Sequence, residues 1–226
     1  MKIFYKIFYD KNKNDKVQKE ILIDKRIVLS KFLEILNIPS FKVDGIVVNE
    51  KFKNLDYVLK DNDNVEIFLF TPYKIDFELN FVCDIHLGKL VKYLRMLGFD
   101  TLLADNKHKL FDILSSQNRI FLTKDRKIAS LLKVKSCILI SSNPYEQIRE
   151  ITYKLQLNKF SKPFTRCVVC NCLLVSIDKQ QVRDLLPPKV NDYQNEFFIC
   201  NSCKKIYWKG THYDRMINFI ESLKNI

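Results

Sequence analysis

Two short apolar runs that each stop at an aspartate are the feature that most constrains the fold of this chain. They lie at residues 81–84 (Phe-Val-Cys-Asp) and 120–125 (Ile-Phe-Leu-Thr-Lys-Asp), and a stretch with helical spacing follows each of them. Strands that end at a polar residue and lead into a helix are typical of parallel α/β sheets, which build their sites at the carboxyl ends of strands. The two runs therefore predict two carboxylates at the functional edge of such a sheet.

The segment from residue 81 to residue 155 continues this alternation. Further strands are predicted at residues 101–104 and 137–140, and helices at residues 89–97, 109–116, 127–132 and 144–155. Strict alternation of strands and helices implies a parallel sheet covered by helices on both faces. The fold class of this segment is therefore α/β with a doubly wound sheet.

The first 72 residues have a different order of elements. Their pattern predicts strands at residues 4–9 and 17–23, a helix at 26–36, and strands at 45–49 and 65–70. This is the α+β order of a ubiquitin-like β-grasp. Modifiers and sulfur carriers of that fold end in Gly-Gly, whereas none of the four glycines lies near residues 70–80. We therefore expect this unit to dock a protein partner or to present RNA, and not to be conjugated.

Four of the seven cysteines form two Cys-x-x-Cys pairs, Cys167 with Cys170 and Cys200 with Cys203. Four thiolates suit a tetrahedral zinc ion, and four protein ligands leave no open position for catalysis. Buried free cysteines are the alternative. We favour a structural zinc, whose binding contributes to the folding of this region. Cys172 is an ambiguous fifth thiol.

Much of the formal net charge of +12 is concentrated in one segment. Residues 81–165 carry 15 Lys and Arg against 7 Asp and Glu, a net charge of +8. A basic surface attracts phosphate backbones through counterion release, so we expect RNA as a partner. Solvated lysines from a compositional bias are the alternative for the total charge, but they do not explain its concentration.

No apolar run approaches the roughly 20 residues of a membrane span, and the N-terminus meets charge too soon for a signal peptide. We therefore expect a cytoplasmic location and no membrane partner.

Three aspartates, Asp84, Asp105 and Asp125, each follow a strand-like run. Mg²⁺ and Mn²⁺ prefer oxygen ligands, and Mg²⁺ usually combines one or two carboxylates with water and substrate phosphate. Such an ion can activate water and stabilise both the attacking and the leaving oxygen of a phosphodiester. Because Asp is also common at helix N-caps, capping is the alternative for each residue. We expect Asp84 and Asp125 to hold the metal, with Asp105 as a third carboxylate.

Arg95 lies on the same predicted helix as Lys89 and Lys92, at spacings of three residues that group them on one side. These cations are candidates to bind a phosphate, and Arg126, directly after Asp125, is similarly placed. A solvated helix face is the alternative for the lysines.

Several motifs along the chain closely resemble the Mut7-C RNase family. They lie in order at residues 83–101 (CDIHLGKLVKYLRMLGFDT), 122–126 (LTKDR), 166–171 (RCVVCN), 182–188 (VRDLLPP), 198–203 (FICNSC) and 207–212 (YWKGTH). That family is regarded as a PIN-like nuclease domain with a C-terminal zinc ribbon. The first 72 residues resemble the ubiquitin-like domain that is often fused in front of it.

The resemblance marks Asp84, Arg95, Asp100 and Asp125 as family positions, and the four paired cysteines as the ribbon. Because Asp100 precedes its strand, we rank it below Asp105 as a metal ligand. The implied domains are a ubiquitin-like β-grasp domain at residues 1–72, a PIN-like nuclease core at 80–160, and a zinc ribbon with a C-terminal helix at 161–226.

These features predict a metal-dependent ribonuclease with Asp84, Asp125, Asp105 and Arg95 as catalytic residues and Mg²⁺ or Mn²⁺ as the catalytic metal. The alternative is a non-catalytic RNA-binding adaptor that uses the same basic surface and the zinc ribbon. An interaction scaffold without a nucleic-acid role is a third interpretation, and it predicts no salt-dependent RNA binding.

Overall fold

The computed structural model describes residues 1–9, 18–72, 74–132, 134–224 and 226, without the side chain of His212. Val17, the first residue of the predicted strand at 17–23, lies outside the described residues. Contacts group the chain into two compact units. The first consists of residues 1–77 and 121–157, and the second of residues 78–120 and 158–226. The predicted domain boundaries stay a prediction.

A five-stranded mixed sheet with one helix forms the N-terminal part of the first unit. Its elements are β1 (Lys2–Phe8), β2 (Lys19–Leu22), α1 (Leu29–Ile35), β3 (Val43–Val48), β4 (Lys51–Lys53) and β5 (Asn64–Leu69). The strand order is β2-β1-β5-β3-β4. The β1 and β5 strands are parallel, and the other pairs are antiparallel. The predicted β-grasp is confirmed.

The core of this sheet explains its sequence pattern. Alternate residues of the strands face α1, so that Ile3 and Ile67 are fully buried together with Leu29, Phe32 and Leu33 of the helix. Burial of apolar side chains at these alternating and helical positions is the main force that holds the sheet and helix together.

The strand β4 is not predicted from the sequence. It pairs with β3 through a two-residue turn in which Asn49 and Glu50 both have positive φ angles, 48° and 65°. Such a turn matches the twist of a hairpin. A run of only Lys-Phe-Lys has no strand pattern of its own, which is why the sequence does not reveal it.

Strands and helices alternate in the middle of the chain. The elements are β6 (Phe81–Asp84), α2 (Gly88–Met96), β7 (Thr101–Ala104), α3 (Lys107–Ser116), β8 (Ile120–Thr123), α4 (Arg126–Leu132), β9 (Ser136–Ile138) and α5 (Pro144–Leu155). The four strands are ordered β7-β6-β8-β9, with β6 parallel to β7 and β8 parallel to β9. The predicted parallel α/β sheet is confirmed. Its strands are mostly buried, so they appear in the sequence as continuous apolar runs.

The C-terminal part of the second unit contains a three-stranded antiparallel sheet in the order β10-β11-β12. Its elements are β10 (Leu174–Ile177), α6 (Lys179–Val182), α7 (Pro188–Tyr193), β11 (Phe197–Cys200), β12 (Ile206–Trp208) and α8 (Thr211–Leu223). The short helices α6 and α7 fill the long connection between the two cysteine pairs. Within the described residues, none of the helices has both the length and the apolar character to cross a bilayer.

Candidate functional site

The four paired cysteines come together in the second unit. The ligand sulfurs of Cys167, Cys170, Cys200 and Cys203 all lie within 4.8 Å of one another. Cys167 Sγ is 3.6 Å from Cys203 Sγ, and Cys170 Sγ is 3.2 Å from Cys200 Sγ. Zinc–sulfur bonds of about 2.3 Å in a tetrahedron place sulfurs about 3.8 Å apart, so the cluster fits a zinc ion. In the part of the chain that the structure describes, this is the one group of three or more His, Cys, Asp or Glu residues whose ligand atoms already lie close enough together to hold a metal; Asp84, Asp105 and Asp125 do not form such a group.

The two Cys-x-x-Cys turns share one backbone geometry. The residue after each second cysteine, Asn171 or Lys204, has a positive φ angle, 74° or 60°. Asn171 N donates to Cys167 O over 3.0 Å, and Lys204 N donates to Cys200 O over 2.8 Å. Each turn therefore closes on its own first cysteine, which brings both sulfurs of the pair to the same side. We call these two turns the knuckles.

Hydrogen bonds in the first knuckle favour the thiolate form that zinc requires. The backbone N–H of Cys172 is the main cause that lowers the pKa of Cys170, to about 6. Burial opposes ionisation of Cys167, but hydrogen bonds from the Tyr207 hydroxyl and from the knuckle backbone lower its pKa overall. Cys172 itself is exposed and stands outside the four-sulfur cluster.

Asp100 connects the first knuckle to the parallel sheet. Its Oδ1 accepts hydrogen bonds from Arg119 Nη1 at 2.7 Å and from Asn171 Nδ2 at 2.8 Å, and its Oδ2 lies 3.7 Å from Arg166 Nη1. Partial burial acts to raise the pKa of Asp100, but these bonds outweigh it and the pKa is lowered. Asp100 is therefore held as a carboxylate that supports the structure of the second unit.

Asp84 and Asp105 lie at the same end of β6 and β7. The register pairs Asp84 with Ala104, and Asp105 follows Ala104 directly. Asp100 lies at the opposite end, where its carbonyl oxygen accepts a hydrogen bond of 2.8 Å from Phe81 N. The strand length between the two ends is about 10 Å. Asp105, and not Asp100, lies at the same end of the strands as Asp84, and this is the reason for preferring Asp105 as a metal ligand.

The two strand-end aspartates of the second unit differ in their local contacts. Asp84 is half-buried, and its Oδ1 accepts a hydrogen bond of 3.0 Å from His86 N, which caps a short 3-10 turn. Asp105 is exposed, and its Oδ2 forms an ion pair of 3.1 Å with Lys109 Nζ. Asp84 is thus oriented by a backbone N–H and Asp105 by a lysine side chain.

Asp125 caps α4 in the first unit. Its Oδ1 accepts hydrogen bonds from Lys127 N at 2.8 Å and Ile128 N at 3.1 Å, while its own N donates to Thr123 Oγ1 at 3.0 Å. The side chain is exposed. Capping is thus observed for Asp84 and Asp125, and it orients each carboxylate at the end of its strand.

Arg95 is buried, whereas Lys89 and Lys92 are exposed, so the three cations do not form one solvent-exposed cluster on α2. Arg95 Nε donates to Thr101 O at 2.9 Å, and Nη1 donates to Val169 O at 2.6 Å. Burial lowers the pKa of Arg95. The guanidinium therefore joins α2 to β7 and to the first knuckle.

Arg126, a candidate from the sequence to bind a phosphate, is half-buried and contacts the N-terminal sheet. Its Nη2 donates to Asp44 O at 2.8 Å, and its Cζ lies 4.2 Å from the centre of the Phe52 ring.

Asn171 is given no role in the sequence analysis, although an asparagine directly after a Cys-x-x-Cys pair is a usable signal. Asparagine tolerates the left-handed conformation that closes such a turn.

Comparison with known protein families matches residues 79–220 to the Mut7-C RNAse domain. The match covers more than half of the chain and includes Asp84, Asp105, Asp125 and both knuckles. No curated protein matches the chain.

Proposed function

Since the chain belongs to the Mut7-C RNase domain family, we propose that it is a metal-dependent ribonuclease that hydrolyses phosphodiester bonds of RNA. Family membership implies the ribonuclease class. The metal dependence, the choice of Mg²⁺ or Mn²⁺ and the residues that act are our proposal, and they rest on the strand-end aspartates.

The observation that carries the proposal is the place of Asp84 and Asp125 in the parallel sheet. Asp84 ends β6, and Asp125 lies two residues after β8, so each carboxylate lies at or just after the carboxyl end of a strand of the parallel sheet. Sites of parallel α/β sheets lie beyond the carboxyl ends of the strands. We propose that these two carboxylates hold Mg²⁺ or Mn²⁺, with Asp105 as a third.

The donor set suits such an ion. Mg²⁺ needs only one or two protein carboxylates when water and substrate phosphate complete its shell. Asp105 can become a third ligand of the ion if its ion pair with Lys109 breaks. An exposed ion pair of this kind contributes little to stability, so breaking it costs little. When bound, the ion supplies a Lewis acid and lowers the pKa of water.

The chain's own residues attract and orient the RNA. The net charge of +8 in residues 81–165 favours a phosphate backbone near the sheet. A direct phosphate contact by Arg95 stays a prediction, and the bonds of Arg95 to backbone carbonyls support a second role in holding the first knuckle. We also propose structural zinc in the four-cysteine cluster and a reducing, cytoplasmic location, which keeps these thiols available.

The test compares cleavage of labelled RNAs and single-stranded DNAs with Mg²⁺, Mn²⁺ or EDTA for the natural chain, Asp84→Asn, Asp125→Asn and Asp105→Asn. Asparagine caps helices about as well as aspartate, so these changes remove charge without removing the cap. Asp112→Asn is the matched control, because Asp112 is exposed on α3 and ends no strand.

We expect EDTA-sensitive RNA cleavage that Asp84→Asn and Asp125→Asn each reduce at least about a hundredfold, about 2.7 kcal/mol of barrier. Asp105→Asn should have a smaller effect and Asp112→Asn none. Salt-dependent RNA binding without cleavage by any variant would favour the non-catalytic adaptor instead. Absence of both binding and cleavage would contradict each RNA-based proposal.

A further inference from the structure

Arg126 is the first residue of α4 and follows Asp125 directly. Its guanidinium is held by the N-terminal sheet: Nη2 donates to Asp44 O at 2.8 Å, and Cζ stacks 4.2 Å from the Phe52 ring centre. A guanidinium on an aromatic face gains cation–π attraction, which increases as water is removed.

The Arg126 guanidinium occupies the space beside Gly45 of β3. A Cβ atom added at Gly45 would lie 2.9 Å from Arg126 Nη2 and 3.2 Å from Phe52 Cε1. The first distance is shorter than real Cβ contacts, so a side chain at residue 45 would displace the arginine. Gly45 lies where the register of β3 against β5 shifts. The glycine therefore allows Arg126 to approach the strand backbone.

The same strand residue that accepts from Arg126 also binds a buried lysine. Asp44 Oδ1 lies 3.3 Å from Lys154 Nζ, which in turn lies 2.9 Å from Glu150 Oε1 and 3.1 Å from Ile138 O. Asp44 thus contacts α4 through its carbonyl oxygen and α5 through its carboxylate. The chain from α4 to α5, which begins directly after Asp125, is therefore bonded to β3 at Arg126 and again at Lys154.

The α4 helix needs such an anchor. It has seven residues and buries only Ala129 among them. Helices this short are not stable on their own, and apolar packing fixes most short helices in proteins. Ile128 and Leu132 are only partly buried, so the contacts of the first residue, Arg126, add to the packing that places α4.

We propose that Arg126 is a positioning residue for Asp125. Strands β3 and β4 hold Arg126 through Asp44 and Phe52, and Arg126 fixes the first turn of α4, whose N–H groups orient the Asp125 carboxylate. The N-terminal β-grasp domain then supports the metal site in addition to any docking role. This inference rests on the proposed function, in which Asp125 is a metal ligand.

The experiment compares Arg126→Ala with Arg149→Ala. Arg149 is a matched control because its Cζ lies 4.9 Å from the Phe41 ring centre and its Nη1 pairs with Glu146 at 3.0 Å, but it adjoins no strand-end aspartate. The readouts are Mn²⁺ affinity without RNA, kcat and KM for RNA cleavage, and thermal unfolding. Gly45→Ala is a second variant, in which Arg126 is still present but the added methyl group displaces its guanidinium.

We expect Arg126→Ala to weaken Mn²⁺ binding about tenfold and to lower kcat about tenfold or more, with KM changed less than about twofold. Arg149→Ala should lower thermal stability about as much as Arg126→Ala does, but it should leave Mn²⁺ affinity and kcat unchanged. Gly45→Ala should act in the same direction as Arg126→Ala. If Arg126→Ala fails to fold, Gly45→Ala decides the question by the same readouts.

Equal effects of Arg126→Ala and Arg149→Ala would overturn the inference and leave Arg126 with a structural role only. A rise in KM with a weaker salt dependence would also overturn it, since that result indicates a phosphate contact. Asp125→Asn separates the two proposals. If Asp125→Asn loses Mn²⁺ binding and neither Arg126→Ala nor Gly45→Ala does, only this inference fails. If Asp125→Asn keeps Mn²⁺ binding and cleavage, the proposed function fails together with it.

Discussion

Asn171 Nδ2 donates a hydrogen bond to Asp100 Oδ1 across 2.8 Å, and this bond joins the first cysteine knuckle to the residue before β7. The other end of the same amide, Asn171 Oδ1, accepts from Thr101 N at 3.0 Å. Asn171 also closes the knuckle with a φ angle of 74°. One residue therefore links the zinc-binding turn to the start of the sheet strand that leads to Asp105.

Replacing Asn171 separates its two contributions. Asn171→Gly retains the left-handed conformation and loses both side-chain hydrogen bonds, one of them to a carboxylate, for an expected cost of about 2–4 kcal/mol. Asn171→Ala loses the same bonds and adds about 1 kcal/mol for the left-handed backbone. Urea unfolding of the zinc-loaded protein measures both values. If Asn171→Ala is as stable as Asn171→Gly, the left-handed backbone conformation does not have the role given to it here.

Asp100 should make stability depend on pH in the acid range. Burial alone would raise its pKa, but hydrogen bonds from Arg119 and Asn171 lower it below the usual value of 3.8. A carboxyl group with a lowered folded-state pKa stabilises the fold fully above its unfolded pKa, and this contribution is lost as pH falls through the folded value. The stability difference between the natural chain and Asp100→Asn should thus be constant above about pH 5 and shrink below about pH 4.

Urea unfolding at several pH values between about 7 and 3 checks this expectation. Comparing two variants at each pH removes effects that both share, such as zinc loss in acid. Asp112→Asn, with its exposed side chain, is the control and should show no such trend. A difference that grows as pH falls would contradict the ion pair with Arg119 as its source.

The zinc cluster should bind one ion per chain and stabilise the second unit. Cys167→Ser removes one of the four sulfurs and should lower the bound zinc below one equivalent, with a marked fall in Tm. Cys172→Ser is the control, because Cys172 lies beside the knuckle but outside the cluster. Metal analysis by mass spectrometry and thermal unfolding with and without a chelator provide the measurements. Zinc loss in both variants would contradict the four-cysteine assignment.

Local patterns predict the strands and the capped helices well. The β6 and β7 strands match their predicted ranges because each is a short, largely buried apolar run. The start of α5 is predicted from Asn143 followed by a proline, and Asn143 Oδ1 does accept from Tyr145 N at 2.9 Å. Both signals lie within a few residues of the element that they define.

Side-chain roles that depend on distant partners are not predictable in this way. Arg95 has the spacing of an exposed cation, yet carbonyl groups 73 and 74 residues away accept its hydrogen bonds and allow its burial. Arg126 bonds to Asp44, which lies 82 residues earlier. A buried charge is tolerated only where the fold supplies partners, and a single sequence does not show which residues those are.

Lys154 offers the sharpest test of such a buried partner set. Its side chain is 1% exposed, as is that of Glu150, and its Nζ also lies 3.3 Å from Asp44 Oδ1. Lys154→Met keeps the apolar volume and leaves two carboxylates without their cation, which should cost about 3–5 kcal/mol. Urea unfolding measures this loss.

The Asp105–Lys109 pair is the matched control for Lys154, because it has the same spacing of four residues but about half of each side chain is exposed. Lys109→Met should cost less than about 0.5 kcal/mol. The double change Lys154→Met with Glu150→Gln should recover part of the loss, because a neutral amide is less costly to bury than an unpaired carboxylate. Additive losses in this double-mutant cycle would show that Lys154 and Glu150 do not interact in the folded protein. A coupling of more than about 1 kcal/mol would establish that Lys154 and Glu150 stabilise the fold as a pair within α5.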